Sequence, residues 1–554
     1  MFFKRAPVSD PPSGWIGYLG DNADSAFSGV PEPRCVSGPR FALAVFGGGV
    51  GLPVLKRDTQ NRVCAGIGEI SEAGSSATIA QDGASVTLAC DPFGLYSVFL
   101  ARVGNPAAPN LWFASDLALL RQYARLPTVV HPKALHGYLC FSYVPTPHTL
   151  FNGIDALPAG NRTTFRADCT EPVRESVLAP WTEVRPFQTA ETEAIDTLRQ
   201  KLRATVARQL GEEREVGVFL SGGLDSSLVA ALLVEAGARL HLYTLDFGPP
   251  YDAELIAARE VAAYLKQPLH IVSARAADVA KGLQCTAQAL QQPYGDAVTV
   301  PLMLLGQAAS SHVETVFNGE FGDQLFGGWA NKPMIAAELY GERSYRREAA
   351  YLATFHRFFG LTDGLYSSSM REATAHLKAA DWIRTDLETG DFTSLLHRLR
   401  AANLRLKGAQ NIAPRARQLA AACGLRSHSP FYDRDLTEWT FTCPPEWFLQ
   451  GACEKYLLKR AAEPFLPADI VWREKRGMGV PATDWCLGGL RRTIARTLPP
   501  RRLEREGWFR PEAVRALCQG SDTPGEFRSR RLGEKLWTLL MLHVWLDAHT
   551  GPAT

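Results

Sequence analysis

The chain has neither an excess of one charge nor a long hydrophobic run. Its 554 residues carry 59 Lys and Arg against 57 Asp and Glu, a formal net charge of +2. Near neutrality argues against a nucleic-acid partner, which usually requires a pronounced basic surface. The most apolar windows, 41–50 and 536–546, are too short to span a bilayer, and the N-terminus lacks the apolar core of a signal peptide. We therefore predict a soluble, cytoplasmic protein with no membrane partner.

Paired cysteines are also missing. The 11 cysteines are scattered from Cys35 to Cys518, without a Cys-x-x-Cys pair or histidines at zinc-ligand spacing. A disulfide framework or a structural zinc site normally shows closer spacing, so we predict reduced, mostly buried cysteines. The composition, 46% hydrophobic and 21% charged, excludes disordered and collagen-like chains. The length indicates about two to four domains.

What is present divides into two patterns. Residues 1–185 contain short apolar runs separated by Gly, Pro and Asp-Gly, a pattern typical of antiparallel strands. A break near 180–189 precedes an amphipathic helix, and from Val216 strands and helices alternate as in a parallel sheet with crossover helices. We predict a two-domain α/β protein with domains at 1–185 and 195–554. The apolar runs are Trp15–Leu19, Phe41–Phe46, Ala84–Cys90, Ser97–Val103 and Leu111–Ala114.

The most informative stretch is a glycine-containing loop between a strand and a helix. The strand from Val216 runs into Ser221-Gly222-Gly223, and the helix that follows begins with Asp225 and two serines. Glycines allow close backbone approach, and the helix N-terminus attracts an anion, so the loop predicts a phosphate site. It is neither a Walker loop nor a dinucleotide fingerprint, because the Gly-Lys-Ser/Thr and Gly-x-Gly-x-x-Gly patterns are absent. A carboxylate beside phosphate indicates a bridging Mg²⁺.

This loop resembles the pyrophosphate loop, Ser-Gly-Gly-x-Asp-Ser, of the N-type ATP pyrophosphatases. Several further stretches, in the same order, resemble asparagine synthetases. They are Gln292-Pro293-Tyr294-Gly295-Asp296, Asn318-Gly319-Glu320-Phe321-Gly322-Asp323-Gln324, Ser429-Pro430-Phe431-Tyr432-Asp433, Lys455-Tyr456-Leu457-Leu458-Lys459 and Arg473-Glu474-Lys475-Arg476-Gly477. The resemblance implies an adenine-nucleotide α-hydrolase-like fold, a doubly wound parallel sheet with added helices, and a reaction that adenylates a carboxylate and releases pyrophosphate.

The resemblance also implies roles for individual residues. Asp225 and Asp323 are the expected Mg²⁺ ligands, Glu320 the base that activates the attacking amine, and Lys475 a positive charge beside the reacting phosphate. Gln324 departs from the glutamate usual in the family. The residues expected to bind ATP and pyrophosphate are Leu220, Ser221, Gly222, Gly223, Leu224, Asp225, Ser226, Ser227, Leu245, Asn318 and Gly319.

The first domain resembles the glutaminase domain of asparagine synthetases, an N-terminal-nucleophile-type αββα fold. The stretches that carry this resemblance include Asp91-Pro92-Phe93-Gly94 and Phe113-Ala114-Ser115-Asp116. That domain uses a cysteine exposed as residue 1. Here residue 2 is Phe, and the matching motif begins at Ser13 with twelve residues before it. We therefore expect a retained domain without glutaminase activity.

Without glutamine hydrolysis, the amine must be free ammonia or part of the substrate. Relatives with an inactive first domain include β-lactam synthetases and lasso peptide cyclases, which join a peptide's N-terminal amine to an Asp or Glu side chain. We expect a lasso peptide macrolactam cyclase, because Glu320 replaces the Tyr of the β-lactam enzymes and residues 330–420 are rich in aromatic and basic residues. The expected partners are a precursor peptide, a leader peptidase and a leader-recognition protein. A β-lactam synthetase and an ammonia-dependent synthetase remain alternatives, and a tRNA-modifying ATP pyrophosphatase is a further one.

Overall fold

The computed structural model contains two compact units. The first comprises residues 1–134 and 146–180, and the second comprises 135–145 and 181–554. The structure describes residues 13–21, 23, 26–27, 34–38, 40–47, 53–57, 62–67, 75–80, 83–104, 110–166, 172–177, 181–185, 190–328, 334–335, 347–355, 357–358, 361–388, 392–474, 479–520 and 530–551.

Segment 135–145 belongs to the second unit, whereas the sequence pattern assigned all of 1–185 to the first domain. Its contacts explain the difference. Tyr138 Oη donates to the Thr538 carbonyl at 2.9 Å, and the Gly295 amide donates to the Ser142 carbonyl at 2.8 Å. Partners so distant in the chain leave no local trace in the sequence.

The first unit consists of two antiparallel sheets. Their strand orders are β10-β8-β9-β1-β3-β2 and β12-β11-β7-β6-β5-β4. The predicted apolar runs form strands of both sheets, which confirms a β-rich first domain. The strands are β1 (Gly14–Leu19), β2 (Arg34–Gly38), β3 (Phe41–Phe46), β4 (Val54–Arg57), β5 (Val63–Ile67), β6 (Ser75–Ile79), β7 (Ser85–Ala89), β8 (Phe99–Val103), β9 (Asn110–Ala114), β10 (Asp155–Ala156), β11 (Asn161–Arg166) and β12 (Arg174–Val177).

One apolar core lies between these sheets. Trp15 and Phe113 from one sheet and Val86 and Leu88 from the other are buried in the same cluster. In β7 the buried Val86 and Leu88 alternate with partly exposed residues, the period that a sheet with one core face requires. The helix Leu117–Tyr123 follows β9 and begins at Asp116, whose carboxylate accepts from the Leu119 amide at 2.9 Å.

The second unit is built on a five-stranded parallel sheet with the order β15-β14-β13-β16-β17. The chain winds outward from β13 in one direction and then continues from β16 in the other, so the strand order reverses between β13 and β16. Ligands bind beyond the carboxyl ends of strands at such a reversal. The strands are β13 (Glu215–Phe219), β14 (Arg239–Asp246), β15 (Leu269–Ser273), β16 (Thr315–Phe317) and β17 (Arg426–His428), with a separate hairpin of β18 (Leu449–Gln450) and β19 (Cys453–Glu454).

Helices connect these strands and form most of the chain beyond 328, as the sequence predicted. Two segments, Leu404–Ile412 and Trp485–Gly489, are π-helical, and Ala379–Trp382 and Pro445–Trp447 are short 3₁₀ helices. The helix Pro132–Phe141 runs from the first unit into the second. The helices of the second unit are Glu191–Leu210, Leu224–Glu235, Ala253–Leu265, Ala276–Ala289, Thr299–Ala309, Gly322–Phe326, Arg347–Phe355, Thr362–Leu365, Ser368–Thr374, Arg384–Glu388, Leu395–Asn403, Ala413–Ala422, Arg434–Thr440, Tyr456–Ala462, Ala468–Val471, Ala482–Asp484, Arg491–Thr497, Pro500–Glu506, Pro511–Cys518 and Arg530–Thr550.

Every cysteine within the described ranges is a free thiol. Cys35 is exposed and the others are buried or partly buried; Cys169 lies outside the described residues. Among the helices that the structure describes, none has the length and apolar character needed to cross a bilayer.

Candidate functional site

The loop after β13 has the geometry of an anion-binding turn. Gly222 has φ +73°, and a Cβ at this position would lie 2.5 Å from the carbonyl carbon of Ala257, so only glycine fits. The Ser221 and Ser226 hydroxyls lie 3.1 Å apart and close the turn. The helix Leu224–Glu235 begins directly afterwards, and its first amides have no partner within the helix. These amides favour an anion at the turn.

A second loop, after β16, packs directly on the first. A Cβ at Gly319 would lie 2.6 Å from the Ser226 amide nitrogen, and one at Gly322 would lie 2.8 Å from the carboxyl carbon of Asp225. The Asn318 amide donates to the His428 carbonyl at 3.0 Å, which ties this loop to β17. The glycines of the second loop therefore bring both loops together where the strand order reverses.

Lys455 lies between the two expected metal ligands. Asp225 and Asp323 each occupy the first turn of a helix, and the Lys455 ammonium forms an ion pair with both carboxylates. Lys455 is only 5% exposed. Burial alone would lower the pKa of its ammonium, but the two carboxylates raise it above its ordinary value. We call Asp225 and Asp323 the acidic pair, and Lys455 its lysine.

The acidic pair supplies only part of the ligand shell that a magnesium ion requires. Mg²⁺ normally takes one or two carboxylates and completes its shell with water and phosphate oxygens. Two carboxylates facing one ammonium leave a net negative charge, and both line the cavity described below. Among the described residues, no group of three or more His, Cys, Asp or Glu is arranged to hold a metal. These two residues thus fit a Mg²⁺ that a nucleotide also coordinates.

Glu320 is held at the same edge of the sheet by its backbone. Its amide donates to Asn318 Oδ1 at 3.0 Å, and its carbonyl accepts from the Ser429 hydroxyl at 2.8 Å. The next residue, Phe321, has φ +76°, a left-handed conformation that turns the chain toward Asp323. Burial raises the pKa of the Glu320 carboxyl, and nearby Asp323 contributes to the increase.

A charged wall lies beyond Glu320, formed by Asp296, Lys407, Asn411 and Arg415. Arg415 Nη1 donates to Asp296 Oδ2 at 2.9 Å and to Asn411 Oδ1 at 2.8 Å, and Asn411 Nδ2 donates to the same Asp296 oxygen at 2.9 Å. Burial would raise the pKa of Asp296, but Lys407 and Arg415 lower it to about 2. Burial lowers the pKa of the Lys407 ammonium. The wall therefore holds fixed charges of both signs.

The π-helical segment Leu404–Ile412 places part of this wall. It carries Lys407 and Asn411, while Arg415 follows in the next helix. A Cβ at Gly408 would lie 2.5 Å from Phe321 Cε2, so this glycine lets the Phe321 ring pack against the segment. Single π-helical turns occur often at functional sites. Here one connects the charged wall to the Glu320 loop.

Most of these groups line one cavity of about 1330 Å³, whereas Asn411 is buried and does not line it. Most residues expected to bind ATP or catalyse reach it, whereas Ser227 is buried behind the loop, and Lys475 lies outside the described residues. Ser227 Oγ has no hydrogen-bond partner in the part of the chain that the structure describes. The expected residues that line the cavity are Leu220, Ser221, Gly222, Gly223, Leu224, Asp225, Ser226, Leu245, Asn318, Gly319, Glu320 and Asp323.

Some site residues escaped the sequence reasoning. Lys455 stood in a stretch that resembles asparagine synthetases, yet nothing local indicated two carboxylate partners. Arg415 and Lys407 read as ordinary basic residues in a helical region. Asp296 stands in a stretch that resembles asparagine synthetases, so the sequence alone could have indicated its carboxylate as part of the site.

In the first unit, the structure places Ser13 immediately before β1. Its side chain is exposed, and its hydroxyl donates to the Phe46 carbonyl at a long distance of 3.4 Å. Pro12 precedes it, so its nitrogen forms part of a peptide bond. A general base supplied by the nucleophile's own α-amine is therefore absent at this position.

Two family models match the chain. The asparagine synthase model matches residues 197–547, and the glutamine amidotransferase domain model matches residues 77–175. These regions include the parallel sheet with its cavity and several strands of the first unit, respectively.

Relatives named as glutamine-hydrolysing asparagine synthetases are similar to most of the chain. One from Mycobacterium tuberculosis is 27% identical over 439 residues, 72% of this chain, and the match spans 65% of that relative's length. One from Bacillus subtilis is 23% identical over 485 residues, 82% of this chain and 74% of its own. The structure of an NH3-dependent NAD synthetase from Campylobacter jejuni aligns with 34% of this chain and 95% of its own, at 14% identity and a TM-score of 0.20, too weak a likeness to inform function. Because the asparagine synthase model matches more than half of this chain's residues, the chain belongs to the asparagine synthase family.

Proposed function

We propose that the chain is an ATP-dependent carbon–nitrogen ligase that adenylates a carboxylate, releases pyrophosphate and transfers the activated acyl group to an amine. One observation carries this proposal. The phosphate loop, the acidic pair and its lysine, and Glu320 all line one cavity, where a nucleotide and a second substrate could meet. Membership of the asparagine synthase family supports the same chemistry.

In the first step, a carboxylate oxygen attacks the α-phosphorus of ATP, and the bond to the pyrophosphate oxygen breaks. The loop residues 221–226, which line the cavity, would hold the departing pyrophosphate, and Leu245, Asn318 and Gly319 would contact the nucleotide. A Mg²⁺ held by the acidic pair would supply positive charge to the phosphate oxygens. We propose Lys475 as a further positive charge at the reacting phosphate.

In the second step, the amine attacks the acyl carbon, the carbon–oxygen bond to AMP breaks, and an amide forms. The amine must lose a proton, and the Glu320 carboxylate would accept it. Burial of Glu320 suits this role, because an elevated carboxyl pKa makes the carboxylate a stronger base.

We further propose that the substrate is a peptide and that the product is a macrolactam of the lasso type. The N-terminal amine of the peptide would join an Asp or Glu side chain of the same molecule. The cavity volume of about 1330 Å³ exceeds the roughly 300–1,000 Å³ of usual small-molecule sites, which leaves room for a second substrate beside ATP. Ser13 in place of a catalytic cysteine also favours an amine carried by the substrate rather than one released from glutamine.

The proposed partners follow from this substrate. A precursor peptide would be recognised through its leader by a separate protein, cleaved by a leader peptidase and then cyclised. A β-lactam synthetase or an ammonia-dependent synthetase would use the same cavity for a smaller acid, so the test distinguishes them.

The test measures pyrophosphate release with ATP and Mg²⁺, together with the mass of the product. We expect release only with a cleaved precursor peptide encoded beside this gene, and a product lighter than the peptide by one water. Release that follows aspartate and ammonia instead would reject the peptide substrate while leaving the ligase chemistry intact. No release with any carboxylate would reject both.

A further inference from the structure

The helix Ala253–Leu265 forms the cavity wall beside the phosphate loop. Glu254, Ala257 and Glu260 are spaced by three residues, so they lie along one helix face, and all three line the cavity. Ala257 backs onto Gly222 of the loop. Glu254 lies one turn nearer the start of the helix and therefore nearer the carboxyl end of β14, where Leu245 lines the cavity.

The Glu254 carboxyl group has no hydrogen bond or ion pair with any residue that the structure describes. Its neighbours differ in this respect. Tyr251 Oη donates to Asp484 Oδ2 at 2.6 Å, and Glu260 is paired with Arg473. Burial raises the pKa of Glu254 to about 7. A desolvated carboxyl group without a protein partner is costly, and such groups occur where a ligand supplies the missing contact.

The chemistry of ATP limits what Glu254 could meet. Its phosphates are anionic and would repel a carboxylate that lacks a bridging cation. The nucleoside part instead offers hydrogen-bond donors, namely the two ribose hydroxyls and the exocyclic amine of adenine. Glu254 lines the same cavity as Leu245, which is expected to contact the nucleotide.

We infer that Glu254 is a nucleotide-binding residue whose carboxylate accepts a hydrogen bond from the nucleoside part of ATP. The inference rests on the proposed function, because it requires ATP to occupy this cavity. It adds a side-chain contact to a site whose other expected nucleotide contacts come from the phosphate loop and from Leu245, Asn318 and Gly319. Glu254 thereby becomes a determinant of nucleotide selectivity.

Calorimetric titration of the full chain with nucleotide and Mg²⁺ at pH 8, where the carboxylate form predominates, tests the inference. The ligands are ATP, 2′-deoxyATP, 3′-deoxyATP and ITP, which has a carbonyl in place of the amine. We expect Glu254→Ala to weaken ATP binding roughly ten- to hundredfold, the effect of losing a hydrogen bond to a charged group. Glu254→Gln keeps an acceptor oxygen and should lose less.

The analogues identify the donor. The analogue that lacks the hydrogen-bond donor should bind the unmodified chain more weakly than ATP does, and Glu254→Ala should not change its affinity. The control is Glu235→Gln, at the end of the helix Leu224–Glu235, where the carboxylate pairs with Arg203 and does not line the cavity. This variant should bind ATP as the unmodified chain does.

Two outcomes would overturn the inference. One is that Glu254→Ala and Glu254→Gln bind ATP normally. The other is that Glu254→Ala weakens ATP and all three analogues equally. Failure of the unmodified chain to bind ATP would instead count against the proposed function. Thermal melting of each variant confirms that it is folded. If the alanine variant is not folded, the comparison of ATP and analogue binding is made with Glu254→Gln alone.

Discussion

Lys455 is the shared ion-pair partner of two acidic side chains that would otherwise face each other without a cation between them. We expect Lys455→Met to lower the free energy of unfolding by about 3–5 kcal/mol, because removing one partner of a buried ion pair leaves uncompensated charge. Urea denaturation of the variant and the unmodified chain measures this difference. Added MgCl2 should stabilise the variant more than the unmodified chain, since Asp225 and Asp323 can then bind a divalent cation in place of the ammonium.

The matched control for this prediction is Lys459→Met, one helical turn further along. Lys459 Nζ lies 5.6 Å from the centre of the Trp472 ring and takes no part in the acidic pair. Its loss should cost about 1 kcal/mol or less. Equal stability of Lys455→Met and the unmodified chain would show that the carboxylates do not depend on this ammonium.

Glu320 is expected to act in the second chemical step only. Glu320→Gln should slow amide formation by roughly 10²–10⁴-fold, the usual contribution of a general base, and should leave ATP–pyrophosphate exchange largely intact. Separate assays of exchange and amide product distinguish the two steps. Loss of exchange in this variant would assign Glu320 to adenylation instead.

The pH dependence of amide formation follows from the same residue. A base works only when deprotonated, and burial raises the pKa of Glu320 above that of an ordinary glutamate. The rate should therefore fall on acidification at a higher pH than an unperturbed carboxyl group would give. A rate–pH profile with single-turnover measurement checks this. A fall confined to the ordinary glutamate range would contradict the effect of burial.

At the residue scale, the sequence indicated the groups that stand in contiguous motifs. Ser221, Asp225 and Asp323 line the cavity because short strand-to-helix loops keep their neighbours together. Lys455 and Glu254 were not predicted, for different reasons. The partners of Lys455 come from loops more than a hundred residues away in the chain. Glu254 looks like any acidic residue in the first turn of a helix.

Among the elements, the π-helical segment Leu404–Ile412 has the clearest experimental consequence. Gly408→Ala would place a methyl group 2.5 Å from the Phe321 ring, which must then shift together with the Glu320 loop. We expect a loss of about 1–3 kcal/mol of stability, the usual cost of overpacking, and a larger loss of activity. Thermal melting and amide-forming rate measure the two effects.

Gly488→Ala is the corresponding control. Gly488 lies in the other π-helical segment, and among the described residues no atom outside its own helix segment would lie within 4 Å of its Cβ. It should retain both stability and activity. If Gly408→Ala behaved like this control, the contact between Gly408 and Phe321 would have no part in shaping the site.

Element type was well predicted where apolar runs are continuous and flanked by turns. The strands β13, β14 and β15 and the helix Ala253–Leu265 lie in the region where the sequence predicts alternating strands and helices. The π-helical segment was not predicted, because its composition suits an α-helix equally well. The order in which the parallel strands pair could not be predicted from the sequence either, since it depends on contacts between distant segments.

For the whole molecule, the amine source is the property most open to test. We expect incubation with glutamine to release no glutamate, because Ser13 has neither a thiol nor a free α-amine. Ser13→Ala should leave the rate of amide formation unchanged. Assays of glutamate and of amide product cover both expectations. Glutamate release that disappears in Ser13→Ala would show that the first unit is an active amidase.

The two-domain α/β class was predicted correctly, with a β-rich first domain and a parallel sheet in the second. The assignment of segment 135–145 differed, because Tyr138 bonds to a helix at the far end of the chain. Composition and periodicity describe local preferences, and they carry no information about such pairings.

Two sets of cavity residues come from separate stretches of the chain. The phosphate loop, Glu254 and the acidic pair belong to residues 215–323, whereas Lys407 and Arg415 of the charged wall belong to residues 404–422. Substitution of Lys407 or Arg415 therefore changes the charge of the wall and leaves the sequence of the phosphate loop as it is. Under the proposed function, this arrangement would let the later helical segment be exchanged, in evolution or in the laboratory, while the nucleotide-binding residues are kept.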